Sequence, residues 1–114
     1  VHDAIPSPVR LEPVLADIEA LNERAVADVD PLPVTKLSLP ALARVLDRYA
    51  VLPSGSALGF GCGPLVVCRA AASFGSLDEL AGARVAIPGR HTTAFLLLSS
   101  LGPAPREVVP MRFD

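Results

Sequence analysis

Apolar and polar positions along the chain divide it into short extended runs and short helical patterns. Twelve prolines and eight glycines separate these segments. Helical spacing of apolar residues predicts a helix over 15–28 and a second over 38–48, with Ser38 at the N-cap position and Pro40 in the first turn. Short apolar runs predict strands around them, at 9–14, 34–37, 49–52 and 64–69. The first half therefore alternates strands with helices.

The clearest predicted unit lies near the end of the chain. Its parts are a strand at 84–87, a turn at 88–91, a helix at 92–101 and a returning strand at 107–111. Gly102 ends the helix, and the order of elements predicts a βαβ unit with parallel strands and a right-handed crossover. Just before it, Ser76 and Glu79 form a capping-box signature for a short helix that Gly82 ends.

Composition supports a soluble α/β class and excludes several kinds of partner. Apolar residues make up 51% of the 114 residues, which suits a parallel sheet covered by helices on both faces. Charged residues are only 19%, with a net charge of -2, so no basic surface exists to bind nucleic acid or an anionic membrane. No apolar run approaches the roughly 20 residues that a membrane span needs.

The cysteines and the chain end add little chemistry. Cys62 and Cys68 are separated by five residues within an apolar stretch, unlike the close pairs of zinc or redox sites, so both are expected to be buried thiols. The sequence begins at Val1 rather than Met, from which we expect processing or truncation of the natural start. His2 is expected to be a disordered surface side chain.

The turn before the last predicted helix is the main candidate site. Ligands of open parallel sheets bind beyond the carboxyl ends of the strands, where helix amino termini present unpaired N–H groups. Thr92 and Thr93 supply hydroxyls there, Arg90 or His91 can add charge, and a carboxylate is the expected guest. The alternative is that one threonine only caps the helix while Arg90 and His91 are solvated. Spacing alone does not decide between the two.

Other polar residues offer weaker signals. No carboxylate has a spacing that makes it a partner of His91, and the acids on predicted helix faces are expected to be solvated. These acids are Asp17, Glu19, Glu23, Asp47, Asp78 and Glu79. The glycine-rich stretch 55–63 lacks the lysine of a phosphate-binding loop. A hinge or crossover between two lobes suits it better.

Four segments carry a resemblance to a known family. They are 34–38 (VTKLS), 47–67 with its LPSGSALG core, 85–98 with GRHTTA, and 108–112 (VVPMR). Together they resemble the 1,4-dihydroxy-6-naphthoate synthases of the futalosine route to menaquinone, with the chorismate dehydratases of the same pathway as near relatives. The resemblance extends over nearly the whole chain.

This resemblance implies a two-lobed, type II periplasmic-binding-protein-like α/β fold used as a cytoplasmic lyase. Residues 1–63 would be a partial first lobe, 64–69 a crossover strand and 70–114 a partial second lobe, with the first strand and the carboxyl-terminal portion of the family fold lying outside this sequence. Two strand edges would then lack a partner, and we expect the isolated chain to be unstable or non-native in its first half.

The implied reaction converts cyclic dehypoxanthine futalosine to 1,4-dihydroxy-6-naphthoate without a metal or organic cofactor. The implied substrate contacts are Thr92, Thr93, Ser38, Ser54 and Gly55. The family's general base, a histidine, would lie downstream of this sequence and does not correspond to His91, so no catalytic residue is named. A chorismate dehydratase-like enzyme and a non-catalytic binding module for a small carboxylate are the alternatives.

Overall fold

The computed structural model of the chain describes residues 8–72 and 74–112, so the expectation for His2 concerns a residue outside these ranges. A 3₁₀ helix spans Leu77–Gly82. The other elements, in chain order, are α1 (Ile18–Ala27), α2 (Leu39–Leu42), β1 (Arg84–Ile87), α3 (Thr93–Leu101) and β2 (Glu107–Pro110). The mixture of helices with a parallel strand pair confirms the α/β class.

The predicted βαβ unit is confirmed almost residue by residue. Strands β1 and β2 pair in parallel with Arg84 opposite Glu107 and Ile87 opposite Pro110. The buried side chain of Ile87 anchors β1, and the amide of Met111 continues the ladder by donating to the Ile87 carbonyl at 2.8 Å. This pairing places the carboxyl ends of both strands side by side.

Helix α1 is shorter than predicted and buries a different face. Asp17 accepts a hydrogen bond from the Glu19 amide at 2.8 Å and so caps the helix. The buried residues of α1 are Glu19, Asn22 and Ala25, which lie at helical spacing on one side. The expectation that Glu19 is solvated is therefore wrong, because this polar face, rather than the apolar one, packs against the rest of the protein.

The second predicted helix is also shorter. The regular helix ends at Leu42, and the chain then continues in hydrogen-bonded turns up to Tyr49. In the last of these turns, the amides of Arg48 and Tyr49 both donate to the Val45 carbonyl. The prediction that Ser38 stands at the N-cap position holds, but its hydroxyl makes no cap hydrogen bond. Ser76 also lacks a side-chain cap bond, and Glu79 accepts from the Gly75 amide at 3.2 Å instead of completing a capping box.

The four predicted strands at 9–14, 34–37, 49–52 and 64–69 are wrong, including the crossover strand. None of these segments is a strand: within the described ranges, the hydrogen-bonded ladder joins β1 and β2 alone. Residues 50–70 are exposed throughout. Cys62 and Cys68 share this exposure, so the prediction of buried thiols is wrong as well.

The packed core is consequently small. Its buried apolar members are Ala25, Ala41, Val45, Leu80 and Ile87. The accessible surface of the chain is 9104 Å², whereas about 6000 Å² is typical of a compact protein of this mass. The radius of gyration is 17.2 Å, against about 13 Å for a compact chain of this length. Within the described ranges, no helix has the length and apolar character required to cross a membrane.

Candidate functional site

The turn between β1 and α3 has a fixed conformation at Thr92. The Thr92 hydroxyl donates to the Gly89 carbonyl at 2.7 Å and accepts from the Phe95 amide at 3.3 Å. Thr92 is buried, so its hydroxyl is fully engaged in capping α3. Of the two interpretations of this threonine that the sequence left open, its hydroxyl geometry matches the capping one.

The first turn of α3 keeps further donors. Among the described residues, no hydrogen bond engages the Thr93 hydroxyl or the backbone N–H groups of Thr93 and Ala94. These groups stand at the positive end of the helix dipole. The guanidinium of Arg90 lies over the Phe95 ring, 5.9 Å from its centroid, and adds a positive charge beside the same turn.

Glu19 is the group in closest contact with the turn. Its Oε1 atom accepts from the His91 backbone N–H at 2.8 Å and lies 3.0 Å from the His91 ring Nδ1. Glu19 is only 8% exposed. A Cβ atom on Gly89 would stand 2.2 Å from the Cγ and Cδ atoms of Glu19. The turn therefore needs glycine at this position to let the carboxylate approach.

Asn22 connects this contact to α2. Its Nδ2 lies 3.1 Å from Glu19 Oε2, 3.1 Å from Ser38 Oγ and 3.4 Å from the His91 carbonyl, and donates towards them. Its Oδ1 accepts from the Ser38 amide at 2.9 Å. Asn22 is fully buried. We refer to Glu19, Asn22, Ser38 and His91 as the Glu19 network.

The Glu19 network already satisfies part of the turn's preference for an anion. Because Glu19 takes the His91 N–H, a bound ligand cannot use that donor, whereas the N–H groups of Thr93 and Ala94 have no acceptor among the described residues. The carboxylate also faces the imidazole in the arrangement that orients histidine rings in many enzymes. A partly buried imidazole held by a buried carboxylate can form a hydrogen bond with a ligand through its other ring nitrogen.

A cavity of about 450 Å³ reaches the network at Glu19. It lies beyond the carboxyl ends of β1 and β2, where ligands of parallel sheets bind. Its lining residues are Leu15, Ala16, Asp17, Glu19, Ala20, Glu23, Pro88, Pro110, Met111 and Arg112. No group of three metal-ligating side chains occurs in the portions of the chain that the structure describes.

The structure brings together some of the predicted contact residues. Thr92, Thr93 and Ser38 lie within or next to the Glu19 network. Ser54 and Gly55 lie instead in an exposed bend, with Gly55 at a φ of 80°, and no recorded hydrogen bond between described residues joins them to the network. That any of these five residues contacts a substrate remains a prediction.

Sequence reasoning missed Glu19 and Asn22 as site residues. They stand three positions apart on α1, and the only local signal was this pair of polar residues on one helical face. The more prominent apolar spacing of α1 concealed that signal. His91 is 72 positions from Glu19, so no local pattern could pair them.

Comparisons with known proteins identify the family of the chain. A family model described as menaquinone biosynthesis matches residues 1–114. A 1,4-dihydroxy-6-naphthoate synthase of Thermus thermophilus is 56% identical over 116 residues, which is 100% of this chain and 39% of the relative. An enzyme of the same name from Streptomyces coelicolor is 42% identical over 96 residues, covering 84% of this chain and 32% of that protein.

These matches set the scope of the assignment. The chain spans about two fifths of the length of the Thermus relative and about a third of the Streptomyces one. No solved structure matches the chain. Because the family model covers every residue and both relatives carry one enzyme name, the chain belongs to the menaquinone biosynthesis family.

Proposed function

We propose that the chain is part of a lyase that converts cyclic dehypoxanthine futalosine to 1,4-dihydroxy-6-naphthoate in the cytoplasm. The observation that carries this proposal is the 56% identity, over the whole chain, to a 1,4-dihydroxy-6-naphthoate synthase. The matched region is the whole chain, so it includes the segments that form the turn and the Glu19 network. The fold proposed for the complete protein is the type II periplasmic-binding-protein-like one, in which residues 1–63 form part of the first lobe and residues 70–114 part of the second.

The substrate is a small anion that binds beside the carboxyl ends of β1 and β2. The N–H groups of Thr93 and Ala94 at the start of α3 support that location. Thr93 contacts the anion through its hydroxyl and amide, whereas Thr92 acts by capping the helix that presents them. Ser38 contributes from α2 through its bond to Asn22.

Ser54 and Gly55 complete the proposed contacts only if the exposed bend moves against the turn. Glycine at 55 adopts a left-handed φ of 80° that other residues rarely accept. Arg90, held over Phe95, places its charge near the incoming anion. No residue of this chain is proposed as the general base of the reaction.

Turnover of the complete gene product tests the function directly. Incubation with cyclic dehypoxanthine futalosine is expected to produce 1,4-dihydroxy-6-naphthoate, followed by its absorbance and identified by mass. Chorismate, tested in parallel, is expected to remain unchanged. A folded protein that dehydrates chorismate, or that converts neither compound, would remove the proposed activity.

The binding role of the helix start is tested by Thr93→Val with Thr93→Ser as its control. Loss of one hydroxyl contact is expected to raise KM about two- to tenfold, since one hydrogen bond contributes about 0.5–1.5 kcal/mol. Thr93→Ser retains the hydroxyl and is expected to keep the KM of the parent. Equal KM values for Thr93→Val and the parent protein would exclude the hydroxyl contact.

A further inference from the structure

We propose that Glu19 is a positioning residue that fixes the protonation pattern of His91, so that ring atom Nε2 accepts a hydrogen bond from a hydroxyl of the bound ligand. The inference rests on the proposed function for the identity of that ligand. It concerns a side-chain pair that joins α1 to the turn between β1 and α3. The ligand class it selects is one that carries a hydroxyl group close to its anionic group.

The geometry determines which ring nitrogen carries the proton. Glu19 Oε1 lies 3.0 Å from His91 Nδ1. A carboxylate only accepts hydrogen bonds, so Nδ1 must be the donor and must carry a hydrogen. The same oxygen accepts from the His91 backbone N–H at 2.8 Å. Two bonds to one oxygen thus hold both the backbone and the ring of His91 in place.

Nε2 is consequently the ring nitrogen that is left for a ligand. Among residues 8–72 and 74–112, no hydrogen bond engages Nε2, and 20% of the His91 side chain is exposed. With Nδ1 protonated, a neutral ring presents the lone pair of Nε2 as an acceptor. The best match for this acceptor is a hydroxyl donor rather than a second carboxylate.

The network around Glu19 is built to maintain this orientation. Asn22 donates to the other carboxylate oxygen at 3.1 Å and is itself fixed by Ser38. Gly89 leaves room for the carboxylate where any side chain would clash. In the described part of the chain, no buried side-chain nitrogen or oxygen lacks a partner. These contacts hold the carboxylate against the ring.

The first experiment measures the tautomer without any ligand. The complete gene product is labelled with ¹⁵N-histidine, and the imidazole signals of His91 are assigned as those that disappear in His91→Gln. Their nitrogen chemical shifts are expected to show that the neutral ring carries its proton on Nδ1. Glu19→Gln, whose amide oxygen still accepts, is expected to keep this pattern, and Glu19→Ala to give a mixture of tautomers. A proton on Nε2 in the parent protein, or an unchanged pattern in Glu19→Ala, would overturn the proposal.

The second experiment separates a ligand contact from a merely structural role. In His91→Asn, the amide nitrogen takes the place of Nδ1 and keeps the bond to Glu19 but nothing stands at Nε2. In His91→Gln, the amide reaches the place of Nε2 and the bond to Glu19 is lost. We expect KM to rise about two- to tenfold in His91→Asn, the equivalent of one hydrogen bond, and to be partly restored in His91→Gln, with kcat within about twofold of the parent.

The opposite order of KM values in the two His91 variants would identify a purely structural role. If His91 only ties the turn to Glu19, His91→Asn keeps the parent KM and His91→Gln raises it, and the proposed contact is wrong. Failure of the proposed function is distinguished by the parent protein itself. No turnover of cyclic dehypoxanthine futalosine by a protein that shows the Nδ1 tautomer would reject the function and leave the role of Glu19 intact.

Discussion

Two regions of the chain have similar apolar character and opposite structures. The packed region, residues 17–49 and 77–112, contains every helix and strand of the described ranges and all of their buried residues. The extended segment, residues 50–72, carries leucine, valine and phenylalanine in comparable density, yet residues 50–71 are exposed. Apolar sequence is therefore insufficient to make a strand. The two regions differ in whether their backbone groups have hydrogen-bond partners within the protein.

Backbone hydrogen bonds express this difference. In the packed region, β1 pairs with β2, and polar side chains of α1 reach the turn and α2. In the extended segment, the recorded backbone bond between described residues is a turn from the Ala72 amide to the Arg69 carbonyl at 2.8 Å. The N–H and C=O groups of a strand without a neighbour bond to water instead of to another strand. Alternating apolar and polar side chains then do not stabilise it, because it has no sheet face to bury.

Amide hydrogen exchange of the 114-residue chain should show the largest contrast between the two regions. Amides of β1 and β2 are expected to exchange at least about a thousandfold more slowly than those of residues 51–70, because the former must open hydrogen-bonded structure. Mass spectrometry of peptic fragments gives the comparison. Uniformly fast exchange would show that the packed region does not fold in this chain. Uniformly slow exchange would show that the extended segment has found a partner.

A matched pair of leucines tests the same contrast by side-chain packing. Leu80 is 4% exposed and Leu65 is 85% exposed. Leu80→Ala is expected to reduce the free energy of unfolding by about 2 to 4 kcal/mol through lost burial and a cavity. Leu65→Ala is expected to change it by less than about 0.5 kcal/mol. Denaturant titration of the 114-residue chain measures both, and comparable losses at the two positions would contradict the division into two regions.

Sequence alone predicted the part of the fold that depends on near neighbours. The βαβ unit was found because β1, α3 and β2 follow one another closely, and Gly102 marks the end of the helix. The strands predicted at 9–14, 34–37, 49–52 and 64–69 failed because a strand needs a neighbour that its own residues do not specify. In the site, the capping position of Thr92 was predictable locally, whereas the pairing of Glu19 with His91 was not.

Two glycines, one in each region, provide a sharper comparison. Gly89→Ala would place Cβ 2.2 Å from Glu19 side-chain carbons, while a Cβ on Gly63 meets nothing within 4 Å. We expect Gly89→Ala to lower the free energy of unfolding by about 2 kcal/mol, since Glu19 must leave the turn or α1 must shift. Gly63→Ala is expected to be neutral within about 0.5 kcal/mol. A neutral Gly89→Ala would mean that Glu19 is not fixed against the turn.

The smallest expected effect comes from the cap of α3. Thr92→Val keeps the shape of the side chain but removes the oxygen that accepts from the Phe95 amide and donates to the Gly89 carbonyl. We expect a loss of about 1 kcal/mol in the free energy of unfolding, as for other N-cap replacements. Thr92→Ser keeps the hydroxyl and is expected to recover most of this loss. If the serine variant is destabilised while the valine variant, which keeps a methyl group at this position, is as stable as the parent, the buried methyl group rather than the cap stabilises the helix start. The polar contacts of the packed region would then matter less than its small apolar core.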